Sequence, residues 1–205
     1  TVIYNGLRIS KVKYYPKEKK KTLIFLGALS KDKGIEDVLK TFSILGRSDY
    51  NFQFWIVGKG EEYYLKKLKL QCKKLGIDKK VKFWGFVSEE KKFELLSRAH
   101  ILINISVREG WGLVVIEAAA MGTPTVAFDV PGLRDSILAN KTGIIDKQHT
   151  VDSMATEIVA LLSDDKRYQG MRVEAAKWSK RFSWNDSTAK SLDLINKILN
   201  SGVNS

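Results

Sequence analysis

Residues 104–128 read NISVREGWGLVVIEAAAMGTPTVAF, and their arrangement decides the fold. Extended back to His100, the stretch begins with an apolar run, HILINIS (100–106), and ends with another, TPTVAF (123–128). Between them lie a loop carrying Arg108, Glu109, Gly110 and Gly112 and a small-residue run that reads as a helix over about 112–121. Two near-continuous apolar strands joined by a helix form a parallel pair, because such strands need a crossover and are buried on both faces.

The same alternation extends outward in both directions. TLIFLGAL (22–29) is a strand, followed by DKGIEDVLKTFSIL, whose Ile35, Val38, Leu39 and Phe42 recur at helical spacing. FQFWIVG (52–58), KVKFWGFV (80–87) and TGIID (142–146) are further strands, with a lysine-rich helix and the helix EEKKFELLSRA between them. Right-handed crossovers turn this order into an α/β, Rossmann-like, doubly wound parallel sheet of about six strands with helices on both faces. Beyond residue 150 the chain reads as helices only, the last presenting Ala189, Leu192, Ile195 and Leu199 on one face to close this domain or pack on another. A single domain over 1–205 is expected: a connecting segment at 1–21, the core at 22–181 and a C-terminal helix at 182–205. Ligands of such sheets sit beyond the carboxyl ends of the strands. The candidate site is therefore built from the turns at 27–33, 58–60, 85–88, 106–113 and 129–132.

Composition narrows the function classes. The chain has 205 residues, long enough for a proper core, and no run nears the roughly 20 apolar residues that span a bilayer. Cys72 is the only cysteine and His100 and His149 the only histidines, which leaves no disulfide and no His/Cys metal centre. His100 reads as a solvated strand start. The leading TVIYNGLRIS has no secretory pattern and no initiator Met, so we expect a cytoplasmic, excised or processed chain. The net charge of +12 is concentrated in lysines at KVKYYPKEKKK and across 59–82. Charge on most helix faces reads first as a solvated surface, and second as attraction to polyanions, anionic lipid or a phosphorylated substrate.

The two glutamates of the opening stretch are eight residues apart. On one helix they would stand ~80° apart around the axis and ~12 Å apart along it, too far to grip one small group. Gly110 and Gly112 instead place Glu109 in the loop and start the helix near Leu113, with Glu117 in its early turns. That arrangement suits an elongated ligand: a carboxylate at each end for hydroxyls, and free helix-start N–H groups between them for an anion such as a phosphate. Glu117 interrupts an otherwise apolar run, where an unpartnered carboxylate would be costly.

EGWGLVVIE resembles the E-x7-E signature of retaining GT-B glycosyltransferases of family 4, and FLGALSKDKGIEDVLKTF, VKFWGFVSEEKKFELLSRAHILINIS and EAAAMGTPTVAFDVPGLRDSI resemble its flanks. The resemblance covers nearly the whole chain and implies the carboxyl-terminal, nucleotide-sugar-binding half of a two-domain enzyme. It implies Glu117 on the ribose hydroxyls and Glu109 on the donor sugar. The main chain of Trp111, Gly112, Leu113 and Val114 would bind the distal phosphate, with Lys33 on the diphosphate and the base at the main chain of Phe86 and Val87. Glu109, on the donor sugar, and Lys33, on the diphosphate, are thus the expected catalytic groups, and the main task the resemblance implies is to stabilise charge developing on the leaving diphosphate. Trp111 itself reads as packing rather than a stacking platform. No metal or cofactor is implied, and the chain has no Asp-x-Asp.

One departure stands out: where the family usually has an arginine for the diphosphate, this chain has Ala28. A charge-assisted hydrogen bond is worth roughly 1.5–3 kcal/mol, about ten- to a hundredfold in binding or rate. Lys31 is the expected substitute. The expected partners are a nucleotide-sugar donor, an amino-terminal acceptor domain and an anionic membrane surface at the cytoplasmic face, without specific nucleic-acid binding; alone, the chain is expected to bind donor but transfer little sugar. Two other readings stay open at this point: a non-catalytic nucleotide-sugar module, raised by Ala28, and a basic membrane- or nucleic-acid-binding domain, raised by the charge.

Overall fold

The structure is a computed structural model describing residues 2–7, 13–47 and 50–202; parts of the expected connecting segment (1 and 8–12) and of the C-terminal helix segment (203–205) lie outside the described residues. Six strands, β1 (Lys21–Leu26), β2 (Phe52–Val57), β3 (Val81–Gly85), β4 (Ile101–Asn104), β5 (Thr125–Phe128) and β6 (Gly143–Asp146), form one sheet in the order β3-β2-β1-β4-β5-β6. Every neighbouring pair is parallel. The fold class read from the sequence is the one observed.

Strand periodicity divides the core between the two faces. Leu23, Phe25, Phe52, Phe54, Ile56 and Ile103 point to one side, under α1 (Ile35–Leu45), α2 (Glu62–Lys74) and α6 (Val151–Ser163). Ile24, Trp55, Val57, Leu102 and Ala127 point to the other, under α3 (Glu89–Arg98), α4 (Leu113–Ala120) and the short α5 (Pro131–Ser136). Phe42 and Phe54 stack with centroids 3.9 Å apart where α1 crosses β2. The lysine-rich α2 buries only Leu68 and Cys72, in keeping with a solvated surface helix.

Three readings need correction. β3 is an edge strand whose residues are half-buried or exposed, with Val81, Phe83 and Trp84 only partly packed on the two core clusters. The 129–132 turn continues into α5, because Pro131 at its first position presets the backbone for a helical turn. His100 is buried, not solvated. The ring of Tyr168, from α7 (Asp165–Ser179), stacks on it at 6.1 Å, and its Nδ1 accepts from the Thr22 N–H at 3.1 Å. Burial, with the charges of Lys21, Lys17 and Arg172, pushes its pKa down to about 3.

The last helix, α8 (Trp184–Gly202), leaves Leu192, Ile195, Ile198 and Leu199 more than half exposed. Among the described residues no helix is long and apolar enough to cross a membrane.

Candidate functional site

The strand order reverses at β1, which pairs with β2 on one side and β4 on the other. At such a switch point the crossover helices leave to opposite faces and open a crevice beyond the strand ends. A cavity of about 210 Å3 lies there, lined by Phe25, Leu26 and Gly27 after β1, Asn104 and Ser106 after β4, and Lys33, Glu109, Leu113 and Val114. It is smaller than the roughly 300–1,000 Å3 of sites that enclose a whole ligand of drug size. It therefore suits part of an elongated ligand.

Local backbone explains why these groups converge. A short 3-10 turn, Lys31–Lys33, ends at Gly34, whose φ of 70° reverses the chain into α1. A Cβ on Gly34 would lie 2.6 Å from the Ile105 carbonyl oxygen, so glycine lets this turn close on the end of β4. Lys33 thereby reaches Glu109 across the crevice, Nζ to Oε2 2.9 Å, with side chains 32 % and 18 % exposed. Gly132 is equally constrained: a Cβ there would sit 2.2 Å from the Glu109 carbonyl oxygen, and α5 thus supports the loop from beneath.

Gly112, at φ 67°, is the N-cap of α4 and offers no side-chain acceptor. Among the described residues the N–H groups of Trp111, Gly112, Leu113 and Val114 have no protein acceptor, and the first bond of the turn is Val115 N–H to Gly112 O at 2.8 Å. These are the orphan donors of a helix start, favourable for an anion. Trp111 turns inward, packing on Tyr4 at 5.5 Å and Phe182 at 4.9 Å. It is a packing residue, as the sequence reading has it.

Glu117 lies one turn into α4, only 9 % exposed, and is not among the residues lining the cavity. Its partner is Lys92 of α3, Nζ to Oε1 2.6 Å, and Lys92 also contacts Glu89 at 2.6 Å. Burial raises the Glu117 carboxyl above its ordinary value, and the hydrogen bond and charge of Lys92 work against that rise. For Lys92 burial acts to lower the pKa, but the bonds to Glu117 and Glu89 leave it raised.

Other predicted site residues fall around this centre. Phe86 and Val87 lie past the end of β3, Phe86 73 % exposed with the Lys59 ammonium 4.8 Å from its ring, and neither lines the cavity. Lys31 is exposed, acts on Glu36 and is not a lining residue, and Ala28 is exposed. The 58–60 turn packs on the β1 turn, where a Cβ on Gly58 would lie 1.8 Å from the Gly27 carbonyl oxygen. Sequence reasoning placed Ser106 in the site but missed Asn104 and Lys92. Asn104 could have been found as the one amide in an apolar strand end; it is buried and its Oδ1 accepts from Ser106 N–H at 3.2 Å. Lys92 carries no such signal in a lysine-rich chain.

An open parallel sheet with a helix start of unbonded N–H groups and the Lys33–Glu109 pair at its switch point is a Rossmann-like arrangement suited to an anionic ligand. The family model for glycosyl transferases group 1 matches residues 8–178, and the chain belongs to that family. An uncharacterized glycosyltransferase of Methanocaldococcus jannaschii, MJ1607, is 35 % identical over 182 residues, 87 % of this chain and 45 % of that protein. The D-inositol 3-phosphate glycosyltransferase of Corynebacterium glutamicum is 28 % identical over 183 residues, 87 % of this chain and 44 % of its own length. This chain thus spans less than half the length of these relatives. Among solved structures, a mutant of S. aureus TarM in complex with Fondaparinux, alpha-GlcNAc-glycerol and UDP superposes with a TM-score of 0.85 at 23 % identity, covering 96 % of this chain and 39 % of that one. Anabaena HepE in complex with UDP and glucose gives 0.79 at 21 % identity, covering 87 % and 48 %. The fold is that of the C-terminal half of GT-B glycosyltransferases.

Proposed function

We propose that this chain is the donor-binding domain of a retaining glycosyltransferase that moves a sugar from a nucleoside-diphosphate sugar to an acceptor. The observation that carries the reading is the convergence of Lys33, Glu109 and the open N–H groups of α4 on one cavity at the switch point of the sheet. In this reading the cavity takes the sugar and diphosphate. Glu109 accepts from sugar hydroxyls, Lys33 and the 111–114 amides hold the diphosphate, and the nucleoside extends toward Glu117, which accepts from the ribose diol. The main chain at Phe86 and Val87 meets the base, and Lys31 swings in as the cation that Ala28 lacks.

For transfer with retention, the bond from the anomeric carbon to the diphosphate oxygen breaks as the acceptor oxygen bonds to that carbon on the same face. The acceptor proton passes to the departing phosphate. Lys33 and the helix N–H groups stabilise the charge growing on that leaving group, where fixed dipoles in a crevice act most strongly. No step in this scheme calls on a metal or cofactor. In this reading the acceptor site lies outside these residues, which span less than half the length of the relatives, so this chain alone binds donor and transfers little. The lysine-rich surface of α2 and β3 is suited to an anionic cytoplasmic leaflet.

Calorimetric titration of UDP-, GDP- and ADP-sugars without added metal, beside Glu117→Ala, tests the proposal. Selective binding of one donor, lost in the variant, is the expected result. A Glu117→Ala protein that binds as well as the parent would overturn the assignment of the ribose, and failure of every donor would overturn the site.

A further inference from the structure

Glu117 is a buried carboxylate in an otherwise apolar helix, and among the described residues only Lys92 bonds to it, at Oε1. Lys92 is itself no loose surface lysine. Its side chain is 15 % exposed, lies 4.8 Å from the Phe93 ring centroid, and is held from its own helix by Glu89 one turn earlier. The contact joins two elements: α3, which follows directly from the Phe86–Val87 turn, and α4, whose start faces the cavity. Lys92 and Glu89, both on α3, are the charged groups that act on Glu117; neither α5 nor α7, also packed on α4, contributes one among the described residues.

We propose that Lys92 is a positioning residue of the donor site: it fixes the Glu117 carboxylate through Oε1 and leaves Oε2, with the second lone pair of Oε1, to accept from a vicinal diol. This rests on the reading of Glu117 as the diol anchor. The physical need for it is plain. A carboxylate accepts well from two hydroxyls only while ionised, and desolvation favours its neutral form. An ammonium 2.6 Å away opposes that, and its second bond to exposed Glu89 sets where the ammonium sits. One pair therefore sets both the charge and the aim of Glu117, and ties the diol anchor to the helix that follows the base-binding turn.

The test uses the full-length protein with UDP, GDP and ADP as probes, each beside its 2′,3′-dideoxy counterpart, titrated calorimetrically from pH 8 to pH 5.5. The parent is expected to bind one diphosphate, to prefer it over its dideoxy form and to show a flat profile over most of the range. Lys92→Met is expected to weaken that diphosphate at least about tenfold at pH 7, the lower end of one charge-assisted hydrogen bond, and increasingly as pH falls. Binding of the dideoxy form should hardly change, and Lys92→Arg should keep the parental profile. Lys92→Gln serves the same comparison if the methionine variant does not fold.

Equal weakening of both forms by Lys92→Met, or an unchanged affinity with a flat profile, would overturn the positioning role. In the second case Glu117→Ala still abolishing the preference for the hydroxylated form would leave the diol anchor standing. A parent without that preference, or a Glu117→Ala protein that keeps it, removes the diol anchor and this proposal with it.

Discussion

Replacing Glu109 by glutamine should separate two ligands that a simple loss of site would weaken together. In the free protein the Glu109 carboxylate sits 2.9 Å from the Lys33 ammonium, with side chains 18 % and 32 % exposed. An arriving diphosphate must share Lys33 with that carboxylate and approach a like charge. Two unit charges 4 Å apart interact by ~1 kcal/mol in water and ~4 kcal/mol at an effective dielectric of 20. Exposure of this degree puts the value near the lower end. Removing the charge should then favour a diphosphate by about 1–1.5 kcal/mol, or roughly five- to tenfold. The fold should hardly notice, because partly exposed pairs contribute about 1 kcal/mol or less.

The sugar donor should respond the other way. Glutamine keeps the size of the side chain but accepts from sugar hydroxyls without charge, so the sugar-bearing donor loses the charge-assisted bond that offset the repulsion. We expect the nucleoside diphosphate to bind Glu109→Gln five- to tenfold more tightly, from the Coulomb estimate above, and the sugar donor to lose that gain while turnover of the complete enzyme falls at least about tenfold. Calorimetry with both ligands and a donor-turnover assay read the split directly. A variant that binds diphosphate and sugar donor equally weakly would refute the reasoning, because Glu109 would then support the loop rather than face the sugar.

Three further outcomes follow from the geometry. Gly132→Ala places a Cβ 2.2 Å from the Glu109 carbonyl oxygen, so the loop must shift; donor affinity should fall at least about tenfold, the scale of one charge-assisted hydrogen bond pulled out of alignment, measured by the same titration. Phe182→Ala opens a hollow beside Trp111, Tyr4 and Trp178 and should cost about 3–5 kcal/mol in urea unfolding, with a changed tryptophan emission in the folded state. His100, buried and neutral with its pKa lowered to about 3, makes stability depend on acid: the unfolded chain takes up a proton below about pH 6.5 that the folded chain refuses. Stability should therefore be full above that pH and fall by up to about 1.4 kcal/mol per unit below it, and His100→Asn, which keeps an acceptor for the Thr22 N–H, should flatten the slope in pH-dependent unfolding.

How much of this was legible in the sequence depended on which physical signal carried it. The six strands and most crossover helices were read to within about three residues, because a sheet buried on both faces demands apolar runs and covering helices demand a stripe; the short α5 was not read. The same rule found β3 but overstated its burial, since an edge strand keeps apolar letters such as Phe83 and Trp84 while losing a neighbour on one side. His100 was misread because its cover, Tyr168, is 68 residues away in the chain. At the site, Glu109 and the helix start announced themselves by glycine spacing and Glu117 by charge in an apolar run, while Lys33 was picked out through the family resemblance. Lys92 could not, because its meaning is a distance to Glu117, and one lysine among many looks the same whether it meets solvent or a buried carboxylate.

The loop that carries Glu109 is held from more than its own neighbours. Trp111, two residues on, stacks against Tyr4 and meets Phe182 edge-on, while Leu7 and Ser183 form a parallel bridge and the Leu7 N–H donates to the Phe182 carbonyl at 2.8 Å. Gly6 sits so close to Trp184 that a Cβ would be 2.2 Å from its backbone nitrogen. The segment before the sheet and the one that begins α8 thus meet at a single aromatic cluster, and that cluster bears on the orphan N–H groups at 111–114. Packed aromatic contacts of this kind shift between discrete arrangements rather than deform smoothly. Phe182, just before α8, and Tyr4, near the start of the described chain, both pack on Trp111, the residue before the Gly112 N-cap. Trp111, read from sequence as packing, therefore ties both ends of the described fold to the loop before α4.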